Sequence, residues 1–207
     1  MNTALAIKSC HKHADRRLAQ LDTWLKGIDA DFFFIIGNPT PGNGGPVIND
    51  SLACDVSDAF ENIAPKVLYA CEYALGANIT NLFVCDDDTY VVYERLMKCG
   101  FENFDYLGFV RNYGDTPYMQ GSSYWLSERS MDRIVKYKAH MRDGVPDDVA
   151  VGRCLYGEVP FTHEHRFAVG ETYPETNRWP RRDNDIISCH KATQMRLIHA
   201  GVTLSGK

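Results

Sequence analysis

Long apolar runs are missing from this 207-residue sequence, and none approaches the ~20 residues of a membrane-spanning helix. The amino-terminal apolar stretch is short and is interrupted by Lys8, which is atypical of a signal peptide. The seven cysteines include no CxxC pair, so their spacing favours reduced thiols over a disulfide framework or a structural zinc site. These absences predict a cytoplasmic protein without a membrane span.

The excess of charge of one sign is also small. The 22 basic and 27 acidic residues leave a net charge of -5, which argues against a large surface for a nucleic acid polymer. Hydrophobic residues at 44% and charged residues at 24% lie near the average of globular proteins. A chain of this length suits one α/β domain, which buries roughly 70% of its unfolded surface.

Short apolar runs alternate with segments of helical periodicity along the chain. The apolar runs predict strands at 4–9, 31–36, 81–85, 106–110, 122–126 and 186–190. The periodic segments predict helices at 14–25, 57–75, 128–141 and 147–155. The stretch 38–49 predicts a loop, in which the glycines of 42–45 favour a flexible turn over a phosphate cradle because no helix follows directly. An irregular tail is predicted at 163–185. This alternation predicts a mixed, mainly parallel sheet with helices on both faces.

Three adjacent carboxylates, Asp86, Asp87 and Asp88, follow a predicted buried strand. They repel one another and cannot be buried without a counter-charge. Ligands of open α/β sheets bind at the carboxyl ends of the strands, and carboxylate oxygens suit Mg²⁺ or Mn²⁺. The triplet therefore predicts a metal site, and the alternative is a solvated acidic turn.

A second acidic pair, Asp147 and Asp148, begins a predicted helix. A carboxylate at this position is commonly a helix cap that interacts with the positive end of the helix. Beside a metal site, one of the pair becomes a candidate general base that takes the proton of an attacking hydroxyl.

His190 ends the last predicted strand, and Lys191 follows it. His190 has two interpretations, a core or surface histidine and a neutral imidazole ligand to a metal. Lys191 is either an ordinary solvated lysine or a point charge for a phosphate group.

Six segments match the motifs of one known protein family, and they follow one another in the same order as in that family. They are 6–9 followed by Arg16, Arg17, Thr23 and Trp24; 32–37; 55–66, which begins Asp-x-x-Asp-Ala-Phe-x-Asn; the aspartates at 86–88; 118–127; and 146–152. Together they resemble the fringe and β-1,3-galactosyltransferase-like glycosyltransferases, which are inverting enzymes of the GT-A fold.

The resemblance implies a metal-dependent enzyme that moves a hexose or deoxyhexose from a UDP-sugar to a hydroxyl of a glycan or glycoprotein acceptor. It implies one GT-A (Rossmann-like) domain over 1–207, with a nucleotide-sugar-binding half at 1–110 and an acceptor-binding half at 111–207. Asp86, Asp88 and His190 would hold Mn²⁺ or Mg²⁺. Asp148 would be the base, with Asp147 in reserve. The implied UDP-sugar contacts are Lys8, Ser9, Lys66, Asp86, Asp87, Gly121, Ser122 and Lys191.

The sequence departs from that family in several respects. It shows no amino-terminal anchor and no paired cysteines, it has Gly121-Ser-Ser in place of Gly-x-Gly and Ile-Ala-Pro in place of Leu-Thr-Leu after Asn62, and it is short. These departures point to a bacterial or viral type of enzyme, or to one module of a larger glycosyltransferase. Two alternatives stay open. One is a HAD-like phosphatase, whose motif calls for Thr or Val where this chain has Tyr90, and the other is a non-catalytic carbohydrate- or nucleotide-binding module.

Overall fold

Strands and helices alternate in the computed structural model, which describes residues 2–38, 47–48, 50–142, 144–168, 180, 184–190 and 195–203. The strands are β1 (Thr3–Lys8), β2 (Asp31–Gly37), β3 (Val47–Ile48), β4 (Ser51–Cys54), β5 (Asn81–Asp86), β6 (Tyr90–Val91), β7 (Tyr106–Tyr113), β8 (Thr116–Ser127), β9 (Phe161–His163), β10 (Phe167–Ala168) and β11 (Ser188–Cys189). The helices are α1 (Ala14–Leu21), α2 (Ile63–Gly76), α3 (Tyr93–Met97), α4 (Glu128–Lys136), α5 (Asp147–Leu155) and α6 (Met195–Thr203). Within these residues, no helix is both long and apolar enough to cross a membrane.

The larger sheet has eight strands in the order β3-β4-β2-β1-β5-β8-β7-β9. Its centre is parallel, since β4, β2, β1 and β5 all run in one direction, whereas β8 is antiparallel to β5 and to β7. Lys8 is paired with Asp86, so the carboxyl ends of β1 and β5 lie side by side. The predicted mixed, mainly parallel sheet flanked by helices is confirmed. A smaller sheet has the order β10-β11-β6.

The central strand β1 is buried on both faces. Successive side chains of a strand point to opposite faces. Accordingly Ala4 and Ala6 belong to the core shared with α2, α4 and α5, whereas Leu5 and Ile7 belong to the core shared with α1, α3 and α6. Burial on both faces explains why β1, β2 and β5 read as continuous apolar runs in the sequence.

Helix α1 is shorter than predicted and ends at Leu21 instead of residue 25. The Thr23 hydroxyl donates to the Ala19 carbonyl at 2.6 Å, and the amide N–H of Leu25 donates to the Gln20 carbonyl at 3.1 Å. Gly27 then adopts φ +76, a left-handed conformation that ends the turn.

Helix α2 begins at Ile63, not at the predicted residue 57. A start at 57 would place Pro65 in the helix interior, where a missing N–H and a ring clash would break the helix. In the observed helix Pro65 lies in the first turn, where backbone N–H groups have no helical partner. The hydroxyl of Ser57 does not cap the helix and instead accepts from the Asn62 side chain at 2.8 Å.

Several other boundaries differ from the sequence prediction. Helix α4 ends at Lys136, and 140–142 forms a separate turn of 3-10 helix. Strand β8 is longer than predicted because it pairs with β7 on one side and with β5 on the other. Strand β4 and helix α6 were not predicted, and the strand predicted at 186–190 is reduced to β11. Most of the stretches 38–49 and 163–185 lie outside the described residues.

Candidate functional site

A cleft of about 460 Å³ opens at the carboxyl ends of β1 and β5. Its walls come from the end of β1, the start of α1, the turn before α2, and the acidic triplet with His190. Seven of the predicted site residues line it: Lys8, Ser9, Lys66, Asp86, Asp87, Asp88 and His190. Because the chain adds β2 on one side of β1 and later β5 on the other, the strand order reverses at this point, and the pocket lies where the fold class predicts one.

Asp86, Asp88 and His190 converge in this cleft, and we term them the cation-ligand cluster. Their candidate ligand atoms all lie within 4.8 Å of one another. His190 Nδ1 is 3.2 Å from Asp88 Oδ1 and 3.5 Å from Asp86 Oδ2. The pairing of β11 with β6 explains this approach, because Cys189 lies opposite Tyr90 and His190 is thereby brought beside the acidic triplet.

The cluster has the properties of a site for a divalent cation. Asp88 Oδ1 and His190 Nδ1 are buried, and they contact each other at 3.2 Å without another hydrogen-bond partner among the described residues. Buried polar atoms with few partners are costly, and a cation bound by both atoms would satisfy them. Two carboxylates and an imidazole form a donor set that accepts Mn²⁺, and the carboxylates also suit Mg²⁺.

The pKa values of the cluster reflect its burial and the short distances between its charged groups. Burial raises the pKa of Asp86, against the opposing charges of Lys8 and His190. Burial would raise the pKa of Asp88 as well, but contact with His190 and the charge of Arg16 lower it below its usual range. Burial would lower the pKa of His190, but Asp88 and Asp86 outweigh this effect and raise it.

The middle aspartate of the triplet points away from the cluster. Asp87 is 4% exposed and accepts hydrogen bonds from Ser9 Oγ at 2.8 Å and from Arg16 Nη1 at 3.0 Å. His13 Nδ1 lies 2.8 Å from the same carboxylate. Asp87 therefore holds the start of α1 against β5, and its predicted contact with the donor stays a prediction.

Lys66 and Ser9 belong to a second internal network. Lys66 Nζ donates to the Ser9 carbonyl at 3.0 Å and to Asp58 Oδ1 at 2.7 Å. Asp58 also accepts from the backbone N–H groups of Gly37 and His11, at 2.5 and 2.7 Å. Burial would raise the pKa of Asp58, but Lys66 and these two N–H groups lower it. The network fixes the turn before α2 to the ends of β1 and β2.

The predicted base lies at the start of α5. Asp148 Oδ2 accepts from the Gly121 N–H at 3.0 Å, and Oδ1 accepts from the Val149 N–H at 2.9 Å. Burial, followed by the charge of Asp147, raises the pKa of Asp148 to about 6. Pro146 occupies the N-cap, so both aspartates lie in the first helical turn and neither is the capping residue.

Lys8 connects this helix start to the cluster. Its Nζ lies 2.9 Å from Asp86 Oδ1, 2.6 Å from Asp147 Oδ2 and 2.8 Å from the Gly121 carbonyl. Burial would lower the pKa of Lys8, but the charges of Asp147 and Asp86 outweigh it and raise the pKa above its usual range.

Two further predicted contacts have different outcomes. Ser122 is buried, and its carbonyl accepts from Thr89 Oγ1 at 3.0 Å. Lys191 lies outside the described residues. Contact with the sugar donor stays a prediction for six residues: Lys8, Ser9, Lys66, Gly121, Ser122 and Lys191.

Seven residues of the cleft wall were not predicted as site residues: Cys10, Lys12, His13, Arg16, Asp58, Phe60 and Ile63. The side chains of His13 and Arg16 are 38% and 41% exposed, and Phe60 is 76% exposed. The available signal was position, since Lys12, His13 and Arg16 directly follow a strand that ends at the ligand edge of the sheet.

Comparison with known proteins identifies the fold. No protein family model matches the chain, and no curated protein matches its sequence. Its structure is similar to the crystal structure of a glycosyltransferase involved in the glycosylation of the major capsid of PBCV-1, with a TM-score of 0.59, 11% identity, and coverage of 96% of this chain and 98% of that chain. At this identity the match shows the fold, which is the GT-A, Rossmann-like fold. Membership of the fringe-like family stays a prediction.

Proposed function

We propose that the protein is a glycosyltransferase that moves a sugar from a UDP-sugar to an acceptor hydroxyl and depends on Mn²⁺ or Mg²⁺. The observation that carries this proposal is the convergence of ligand atoms from Asp86, Asp88 and His190 in a cleft at the strand ends of a GT-A fold. Asp86, Asp88 and His190 would hold the cation. When bound, the cation supplies Lewis-acid stabilisation of the charge on the departing diphosphate.

The basic wall of the cleft supports an anionic donor. Lys12 is exposed, and His13 and Arg16 are partly exposed beside the acidic triplet. A diphosphate brings negative charge, which Lys12 and Arg16 would offset. Arg16 already contacts Asp87 at 3.0 Å, and its side chain remains 41% exposed. These groups would add to Lys66 and Lys191, the lysines predicted to contact the phosphate groups.

An exposed aromatic ring on the cleft wall supports binding of a nucleoside. Phe60 lies in a turn of 3-10 helix directly before α2 and remains 76% exposed on the cleft wall. The adjacent Asp58 is held by Lys66 and by two backbone N–H groups, so the turn is fixed. An exposed phenyl ring on a fixed turn suits stacking with the flat face of a nucleobase.

For the chemical step, we propose Asp148 as the base that takes the proton of the acceptor hydroxyl. Its pKa of about 6 leaves it largely ionised at neutral pH and close to the range in which a general base is efficient. Asp147 is paired with Lys8, whereas Asp148 has no cationic partner in hydrogen-bond contact among the described residues. Attack opposite the leaving UDP inverts the anomeric centre.

For the sugar and the acceptor, we propose only the chemical class. The transferred group is a hexose or deoxyhexose, and the acceptor is a hydroxyl of a glycan or glycoprotein. One extra or missing small group in a pocket discriminates sugars by only ~1–3 kcal/mol. The chain acts either alone or as one module of a larger glycosyltransferase.

The test is a thermal-shift screen of UDP-sugars with Mn²⁺, followed by an assay of product release. A ligand that binds the folded state raises its melting temperature by mass action. Release of UDP supports the transferase, and release of orthophosphate from monoesters supports the HAD-like alternative. Binding with neither product supports a non-catalytic module. Asp88→Ala is the matched control, because it removes one carboxylate of the cluster.

A further inference from the structure

The buried ammonium group of Lys8 has no free donor to offer a ligand. Its side chain is 6% exposed, and three oxygens of the protein surround Nζ at 2.6 to 2.9 Å. A lysine ammonium has three N–H groups, which matches this number of acceptors. A nucleotide contact would require at least one of these interactions to be broken in a buried environment, which is costly.

The three acceptors come from parts of the chain that are distant in sequence and adjacent in the site. Asp86 belongs to β5 and to the cation-ligand cluster, Gly121 belongs to β8, and Asp147 belongs to the first turn of α5. Gly121 extends the connection, because its carbonyl accepts from Lys8 while its N–H donates to Asp148. One side chain therefore links the cluster to both aspartates of α5.

Two consequences follow for the reacting groups. Because Lys8 contacts Asp86 Oδ1, the other oxygen of that carboxylate faces His190, at 3.5 Å from Nδ1. Because Lys8 contacts Asp147 Oδ2, the first turn of α5 is held at a fixed distance from the cluster. The packing leaves little freedom, since a Cβ at Gly121 would lie 3.2 Å from Asp148 and 3.3 Å from Lys8 Nζ.

We propose that Lys8 is a positioning residue that fixes the distance between the cation-ligand cluster and the base on α5, in place of the donor contact predicted from the sequence. This inference rests on the proposed glycosyl transfer. Lys8 acts through Asp86, Asp147 and Gly121 and does not touch the substrate. Misplacing a reacting group by about 1 Å costs on the order of 10²-fold in rate, which sets the expected effect.

The test is a double-mutant cycle of Lys8→Met and Asp147→Asn, in which the UDP affinity with Mn²⁺, the kcat and the KM of transfer are measured for each variant. We expect UDP affinity within about fivefold of wild type and kcat lower by roughly 10²-fold in each single variant. We expect the double variant to be no slower than the slower single variant, because contacting residues that act as one unit are not additive. Lys8→Arg is expected not to restore kcat, since a guanidinium does not reproduce the three contacts of an ammonium group.

Lys12→Met is the matched control, because it makes the same substitution at an exposed lysine of the same cleft. It is expected to weaken UDP binding, which is the opposite pattern. A loss of UDP affinity above tenfold in Lys8→Met with kcat retained, or independent and multiplicative effects of the two substitutions, would overturn the inference. If Lys8→Met does not fold, Asp147→Asn and Lys8→Arg carry the same comparison of UDP affinity with kcat. Absence of UDP binding by wild type with Mn²⁺ would instead contradict the proposed function.

Discussion

Replacing Asp148 with asparagine separates the chemistry of the proposed base from its structural contacts. On the structural side, each carboxylate oxygen accepts one backbone N–H, from Gly121 and from Val149. Asparagine has a single carbonyl oxygen, so one of these N–H groups would face an amide NH₂. Leaving such a donor unsatisfied costs about 1–3 kcal/mol.

A second effect acts in the opposite direction. Burial and Asp147 raise the pKa of Asp148 from 3.8 to about 6, which corresponds to roughly 3 kcal/mol against the charged form at neutral pH. Asparagine carries no charge and avoids this cost. The two effects nearly cancel, and we expect the free energy of unfolding to stay within about 2 kcal/mol of wild type. In wild type, the stability lost through ionised Asp148 is recovered as the pH falls from about 6 towards 3.8.

The chemical effect is much larger than the structural one. Loss of a positioned base costs ~10²–10⁴-fold in rate. We therefore expect transfer by Asp148→Asn to collapse while its UDP affinity with Mn²⁺ stays within a few-fold of wild type. The kcat/KM of wild type should fall tenfold per pH unit below about 6, and this limb should vanish in the variant.

The assay is steady-state transfer from pH 5 to 8, with calorimetry of UDP binding and urea unfolding of the same samples. Asp147→Asn is measured in parallel. Transfer by Asp148→Asn within tenfold of wild type would refute the base assignment. A collapse confined to Asp147→Asn would move the base one residue back.

Three further predictions concern the metal ligands, the exposed ring and the packing beside the cleft. Asp88→Ala should lower the affinity for UDP at least tenfold in Mn²⁺ and make it insensitive to EDTA, because the cluster loses a ligand. Equal titration curves of wild type with and without metal would contradict this prediction. Phe60→Ala should weaken the binding of UDP by ~1–3 kcal/mol and leave the affinity for pyrophosphate unchanged. Phe104→Ala, which removes another partly exposed ring, is the control. An equal loss of affinity for both ligands would exclude a ring contact. Gly37→Ala should lower the free energy of unfolding, measured by chemical denaturation, by ~1–3 kcal/mol or more, because its Cβ would lie 2.6 Å from a backbone nitrogen. Gly76→Ala is the control and should cause no such loss, because its Cβ would meet nothing within 4 Å.

The sequence predicts the central strands well because both of their faces are buried and their apolar runs are uninterrupted. The bounds of α5 are also predicted correctly, because its acidic pair lies at the positive end of the helix. The errors lie where a local contact overrides the pattern. The Thr23 hydroxyl bonds back to α1, and Pro65 defines the start of α2. Strand β4 was missed because its four residues carry few large apolar side chains, and it forms by pairing with β2.

Prediction of the site had the same limits. Asp86 and Asp88 were identified by their position after an apolar run, and the geometry brings His190 to them through a β-ladder that no sequence spacing reveals. Asp87 is identical in type to its neighbours, and its inward orientation depends on contacts with Ser9 and with the start of α1. Phe60 belongs to the motif at 55–66, but the sequence does not show that its ring is exposed on the wall of the cleft.

The pairing of β6 with β11 has a consequence for the thermodynamics of the protein. Only two residue pairs form this ladder, yet it closes a loop of about a hundred residues between Tyr90 and Cys189, and loop closure costs entropy that grows slowly with length. A ligand held jointly by Asp88 and His190 would bridge the two ends of that loop and act as a reversible cross-link. Cation binding and the ordering of the small sheet are then parts of one equilibrium, so each would favour the other.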